Sequence, residues 1–206
     1  MITKQQIILI LGNAAREIIG AKDELTAIDA KFGDADHGIT MEKIANAIIS
    51  TLDRHKNDAA SGIQTLFGDC ADEIMKINGG SAVPLWNTFF EGFKNGTDDT
   101  REISIEGFKK MFQSALDELS GITKAKVGDK TMMDALIPAV EAIIASTAGD
   151  LAGITKEGAD AAKKGAQESA NMVSKFGRAK SYKEQTLGTP DAGAMSIMYF
   201  FIGLSG

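Results

Sequence analysis

Cysteine is almost missing from this 206-residue chain, and the single Cys70 excludes any disulfide within it. Cys70 shares helical spacing with Ile63, Leu66, Phe67 and Ile74, so it reads as a core residue and not as a reactive thiol. Histidine is nearly as scarce, with only His37 and His55, which together with one cysteine cannot supply a Cys/His zinc set. Positive charge is also short. Lys and Arg number 22 against 28 Asp and Glu, a formal net charge of −6, which does not suit a protein that grips DNA or RNA through a basic face. No apolar run approaches the roughly 20 residues that span a bilayer. The longest lies around Met195 to Leu204, and the opening "MITKQQIILILGNAAREIIG" has an apolar run of five residues with no small-residue cleavage site after it. The expectation is a cytoplasmic protein with no membrane span and no nucleic-acid partner. The phosphate loop GxxxxGKS/T, the dinucleotide fingerprint GxGxxG and the hydrolase elbow GxSxG are all missing. "GDKT" at 128–131 looks like the end of the first, but it lacks the adjacent Gly-Lys pair and no strand pattern precedes it.

Strand-type alternation is rare, whereas apolar residues recur at three and four throughout. Ile7, Leu11, Ala14 and Ile18 form one stripe, and Met41, Ile44, Ile48 and Leu52 another. Ile63 to Ile77 follow, then Phe108, Met111, Phe112, Ala115 and Leu119, then Leu136, Val140, Ile143 and Ile144. With "SAVPLWNTFFEGF" and "AGAMSIMYFF", the periodicity predicts about eight helices in one all-α domain over 1–206. Ser104, Thr131 with Asp134 three residues on, Thr155 and Asp191 are the expected caps. The segment 155–176 carries Ala159, Ala162, Ala166 and Ala170 on one side, a face suited to close helix approach. Pro138 falls inside a helical run and predicts a kink.

Glycine is the residue that breaks this pattern, in "FGDADHG", "INGGSA", "VGDKT", "KFGRAK" and "LGTPDAG". Each reads as a turn or helix end, and helix starts after such turns favour anions. The first is the most charged. Asp34 and Asp36 follow closely on Asp29, and crowded carboxylates repel unless a cation or shared protons offset them. Their spacing suits a hard divalent ion bound by oxygen; it is not a calcium EF-hand loop, whose sixth and twelfth positions would be Ile39 and Ala45. Magnesium, which takes few carboxylates and completes its shell with water and phosphate, fits better. Spacing alone reads equally as a solvated acidic turn beside a helix cap. His37 can accept a phosphoryl group, shuttle a proton or orient a neighbour by hydrogen bonding, and the last is the reading taken. His55, in "LDRHKND", reads as a solvated helix end.

"IDAKFGDADHGITM", "NGGSAVPLWNTFF", "GDKTMMDALIPAVEA" and "GRAKSYKEQTLGTPDAGA" resemble, in order and spacing, the DAK2 domain, the nucleotide-binding L subunit (DhaL type) of bacterial dihydroxyacetone kinases. The resemblance spans essentially the whole chain. It implies a barrel of eight antiparallel helices with ADP or ATP and two Mg2+ ions at one end. On this resemblance Asp29, Asp34 and Asp36 are the magnesium ligands. His37, Gly38, Ile39 and Thr40 match the nucleotide-phosphate segment, and Ser81 with Ala82 the turn after the paired glycines. Met132 falls where the family lines the adenine pocket, Arg178 where it places a catalytic phosphate contact, and Asp191, Ala192 and Gly193 where a turn closes the site; Thr123 is a further nucleotide-site match. The chain departs from the family pattern at Thr40, at Ser81-Ala82-Val83 and at Ala192, where members usually carry Asn, Ala-Ser-Gly and Pro.

The family includes single-chain kinases and split systems. A chain of this length leaves no room for a substrate domain, so the resemblance implies the split form. A K-type subunit would hold the ketose, dihydroxyacetone or a related sugar, and a phosphohistidine-carrying M-type subunit of the phosphotransferase relay would recharge the bound ADP. A second reading is a nucleotide-sensing module that binds a transcription regulator.

Overall fold

The apolar stripes of the sequence turn inward on one another. In the computed structural model, which describes residues 1–206, they build nine α-helices. Thr3 starts the first, α1 (Lys4–Gly20), through a capping box in which its hydroxyl accepts the Gln6 N–H while the Gln6 side chain accepts the Thr3 N–H. After a short α2 (Lys22–Asp29) come α3 (His37–His55), α4 (Ile63–Met75) and α5 (Ala82–Asn95). Then follow α6 (Ile105–Ile122), α7 (Met133–Ala145), α8 (Leu151–Glu168) and α9 (Ala192–Leu204). Two-residue strands β1 (Ile2–Thr3) and β2 (Glu102–Ile103) pair antiparallel and strap the start of α1 to the start of α6.

Eight of the helices form a closed ring in which α1 packs on α3, each later helix on the next, and α9 on α1. Successive ring helices therefore alternate in direction. The expected eight-helix barrel is this ring; α2 lies outside it, against α3 and α9. Inside, Trp86, Phe89, Phe90 and Phe93 of α5 meet Phe200 of α9 and Phe112 of α6 in edge-to-face pairs, all of them essentially without solvent contact. Cys70 is buried in the same core, as the spacing of α4 indicates. On the α7–α8 side the filler is small. Pro138 leaves the Asp134 carbonyl without its helical N–H partner, and a Cβ on Gly165 would lie 2.0 Å from that oxygen, so only glycine lets α8 come so near.

Four local expectations need correction. Thr155 does not cap α8; Asp150 does, accepting the Gly153 N–H, while the Thr155 hydroxyl donates back to Leu151 and Ala152 within the helix. That helix ends at Glu168, so Ala170 belongs to a following 3-10 turn. Ile144 is exposed on α7. His55 is not a solvated end: it is buried, with Nε2 2.7 Å from Asp69 and Nδ1 3.0 Å from Ser61. The buried Lys4 ammonium donates beside it to the Asp58 and Ser61 carbonyls, knotting together the ends of α1, α3 and α4. No helix is long and apolar enough to cross a membrane.

Candidate functional site

Alternating direction around the ring has a chemical result: α3, α5, α7 and α9 all begin at the same end. The first-turn N–H groups of a helix have no intrahelical acceptor and carry the positive end of its dipole. Those of Gly38 and Ile39 in α3 and of Ala82 in α5 donate to no acceptor within the chain. Pro84 costs α5 nothing in this first turn, where its missing N–H would have had no acceptor. Between the four starts lies a cleft of about 450 Å3, a size suited to a small organic ligand.

Its acidic wall is built by a helix end and a strained turn. Asp29 closes α2, and its Oδ2 accepts the N–H groups of Asp36 (3.2 Å) and His37 (3.4 Å), capping α3 from outside. Asp36 occupies the N-cap position without using its own side chain there, so its carboxylate is left to the cleft. Between Asp34 and Asp36 the chain reverses through Ala35 at φ 61°, a left-handed conformation that costs a non-glycine residue on the order of 1–3 kcal/mol. The three carboxylates are thereby gathered with an oxygen of each within 4.8 Å of the others. Burial, and then repulsion from Asp34 and Asp29, raises the Asp36 carboxyl above its usual range. Asp34 is lowered, chiefly by its hydrogen bond from the Arg178 guanidinium.

The donor set fits a hard cation. All three groups are oxygens, and a Cβ on Gly33 would sit 2.0 Å from Asp29 Oδ1, so glycine there leaves the Asp29 carboxylate its place. His37 stands beside the cluster with Nε2 2.6 Å from Ser196 Oγ, whose proton goes to the Ala192 carbonyl, so Nε2 is the donor. Burial lowers its pKa, which keeps the ring neutral near pH 7. The opposite wall is apolar, with Leu85, Trp86, Ala125, Met132 and Met133, and the loop from Phe176 to Ala179 brings Arg178 across the mouth.

Of the residues singled out from sequence, Asp29, Asp34, Asp36, His37, Thr40, Ser81, Ala82, Thr123, Met132, Arg178, Asp191, Ala192 and Gly193 all line this one cleft. Asp191 caps α9 by accepting the Ala194 N–H at 2.8 Å. Gly38 and Ile39 do not line it. Gly38 is buried against α2, and the Ile39 side chain is 42% exposed on the outer face; only their backbone N–H groups stand at the helix start. Lys130, Thr131 and Trp86 also line the cleft, and the sequence does not mark them as site residues. The first two lie in "GDKT", where the missing phosphate-loop spacing obscured them, and Trp86 belongs to a stripe that reads as plain core.

A family model described as the DAK2 domain matches residues 31–206. The chain is 34% identical to the L-erythrulose kinase of Pectobacterium atrosepticum over 90% of its own length and 32% of that protein's. It is 30% identical to the ADP-binding subunit DhaL of the PEP-dependent dihydroxyacetone kinase of Escherichia coli, over 85% of this chain and 83% of that one. The fold is similar to the dihydroxyacetone kinase of C. freundii in complex with AMP-PNP and Mg2+, with a TM-score of 0.70 and 26% identity over 95% of this chain and 32% of that one. It thus spans about a third of the erythrulose kinase and of the C. freundii enzyme, and most of the E. coli subunit. The ring of helices, the shared starts around one cleft and the family match over 31–206 agree: this chain belongs to the DAK2 domain family.

Proposed function

We propose that this chain is the ADP- and ATP-binding subunit of a split ketose kinase, carrying the nucleotide with two Mg2+ ions in the cleft. The observation that carries the proposal is the meeting of three carboxylates with four helix starts and an apolar wall in one cleft. Asp29, Asp34 and Asp36 would hold the ions, which when bound screen the phosphate charges and those developing in transfer. The chain's own residues do the rest. Free N–H groups of α3 and α5 receive phosphate oxygens, and neutral His37 fixes the α3 start against α9 through Ser196. Met132 and Trp86 offer an apolar face to the base. Arg178, paired with Asp34, is the positive charge lining the cleft that can turn to a phosphate, and it is the catalytic candidate.

The phosphoryl acceptor is dihydroxyacetone or a related short ketose held by a K-type subunit, with an M-type subunit as the phosphoryl source. The PEP-dependent E. coli subunit and the erythrulose kinase among the relatives support these two choices. The test is calorimetry of ADP with and without Mg2+ on wild type and Asp34→Ala. Mg2+-dependent binding in the first and its loss in a normally folded Asp34→Ala protein are expected. ADP binding that ignores both Mg2+ and the substitution refutes the reading.

A further inference from the structure

The turn 128–131 has no part in the reading above, although Lys130 is the most unusual lysine in the chain. It is 4% exposed and makes no ion pair within 4 Å, and its backbone sits at φ 58°, where a long side chain is strained. Desolvating an ammonium is costly unless something compensates. Asp191 and Asp134 lend it longer-range attraction, but its hydrogen bonds go to one segment. Nζ donates to the Met172 carbonyl at 3.0 Å and to the Thr186 carbonyl at 2.6 Å, the two ends of the loop that carries Arg178.

The turn is built to hold that ammonium in place. Asp134, in the first turn of α7, accepts the Gly128 N–H and the Thr131 N–H, both at 2.6 Å, and so fixes the backbone on either side of Lys130. Asp129 grips the same loop from its flank, taking the Lys175 N–H at 3.1 Å and its ammonium at 2.7 Å. Beyond these anchors the loop is hardly attached. From Phe176 to Gln185 its only polar tie to the rest of the chain is Arg178 on Asp34, helped by Tyr182 against Phe32 at 5.2 Å between ring centres.

We propose that Lys130 is a positioning residue for Arg178: its ammonium pins both ends of the 172–186 loop across the cleft, so the reach of Arg178 to a bound nucleotide depends on it. The inference rests on the nucleotide reading above. A lysine suits this task because one compact cation satisfies two carbonyls that approach from different strands of the loop, and a neutral side chain of that length offers no such donor pair.

The test is a double-mutant cycle on Mg–ADP affinity, measured by calorimetry in wild type, Lys130→Met, Arg178→Ala and the double variant. If Lys130 acts through Arg178, Lys130→Met weakens binding about tenfold or more in the wild-type background and less than about twofold when Arg178 is already Ala. An equal loss in both backgrounds, or none in the first, overturns the proposal. Lys175→Ala, an exposed substitution on the same clamp, keeps the test open if Lys130→Met does not fold. A smaller loss that also disappears in Arg178→Ala supports the clamp, and a loss independent of Arg178 refutes it. Arg178→Ala with unchanged affinity fails the assignment of Arg178 itself and takes this inference with it, whereas a weakened Arg178→Ala with additive Lys130→Met fails this inference alone.

Discussion

Gly38→Ala offers a stringent test of how the acidic wall is held. A methyl at this position would lie 2.1 Å from the Lys22 carbonyl oxygen and 2.2 Å from Thr26 Oγ1, a hydroxyl that itself has no hydrogen-bond partner. The carbonyl is backbone and cannot swing aside. Reaching ordinary contact at 3.4 Å therefore requires α2 and α3 to part by about 1.3 Å. Overpacking of this kind costs roughly 1–3 kcal/mol, or a fall of roughly 2–12 °C in melting temperature for a chain of this size. Binding should suffer more than stability. Asp29 rides on α2, while Asp34 and Asp36 precede α3, so the same displacement breaks the two hydrogen bonds from Asp36 and His37 to Asp29 and splays the carboxylates. Mg2+ accepts little departure from octahedral geometry, and disturbed ligand support typically costs about 10–100-fold in affinity. Calorimetric titration of Mg–ADP alongside thermal melts reads both effects. Gly20→Ala is the control, since nothing lies within 4 Å of its would-be Cβ and alanine gains roughly 0.5–1 kcal/mol in a helix. Wild-type Mg–ADP affinity in a folded Gly38→Ala protein would refute the argument.

At the other end of the ring, hydrogen bonds from the Ser61 hydroxyl and from the Ala60 and Ser61 N–H groups hold the Asp58 carboxyl down to about 2. A depressed carboxylate stabilises the fold above its unfolded value and loses that contribution as pH falls through the folded one. Asp58→Ala should thus be less stable than wild type at about pH 6, and the difference should shrink between about pH 4 and pH 2 in denaturant melts; a pH-independent deficit contradicts this. Arg178→Ala should act in opposite directions on two ligands. It removes a cation that competes for Asp34, so Mn2+ binding without nucleotide, followed by paramagnetic relaxation, should tighten about two- to fivefold, as for release of an exposed ion pair. Unchanged or weaker Mn2+ binding would show that Asp34 does not hold the metal.

The helices that face the core were legible wherever large apolar residues mark a stripe, as in Ile7, Leu11, Ala14 and Ile18, which are all buried on α1. α2 was not. Its "KDELTAID" buries only Leu25, because it packs outside the ring, and one residue makes no period. Thr155 looks in sequence like the cap of α8, whereas Asp150 ahead of it caps the helix. The charged neighbours of His55 in sequence point to a solvated end. What buries it comes from Lys4, Ser61 and Asp69, brought together only when three helix ends meet. For the site, local spacing revealed the acidic turn, and the resemblance supplied further lining positions from Thr40 to Gly193, though not Trp86, Lys130 or Thr131. Nothing local marks Lys130, since its partners Met172 and Thr186 lie 42 and 56 residues away.

Four helices beginning around one cleft in a chain of net charge −6 also set the kinetics of ligand capture. The positive ends of helix dipoles fade within about one turn, whereas the net charge reaches over a Debye length of roughly 8 Å in physiological salt and 30 Å in dilute buffer. An anionic nucleotide is therefore repelled on approach and attracted only on arrival. Its entry should quicken as salt is added, the reverse of a protein that gathers anions with surface lysines, and a molecule already seated meets that same outer field only after its short-range contacts have broken.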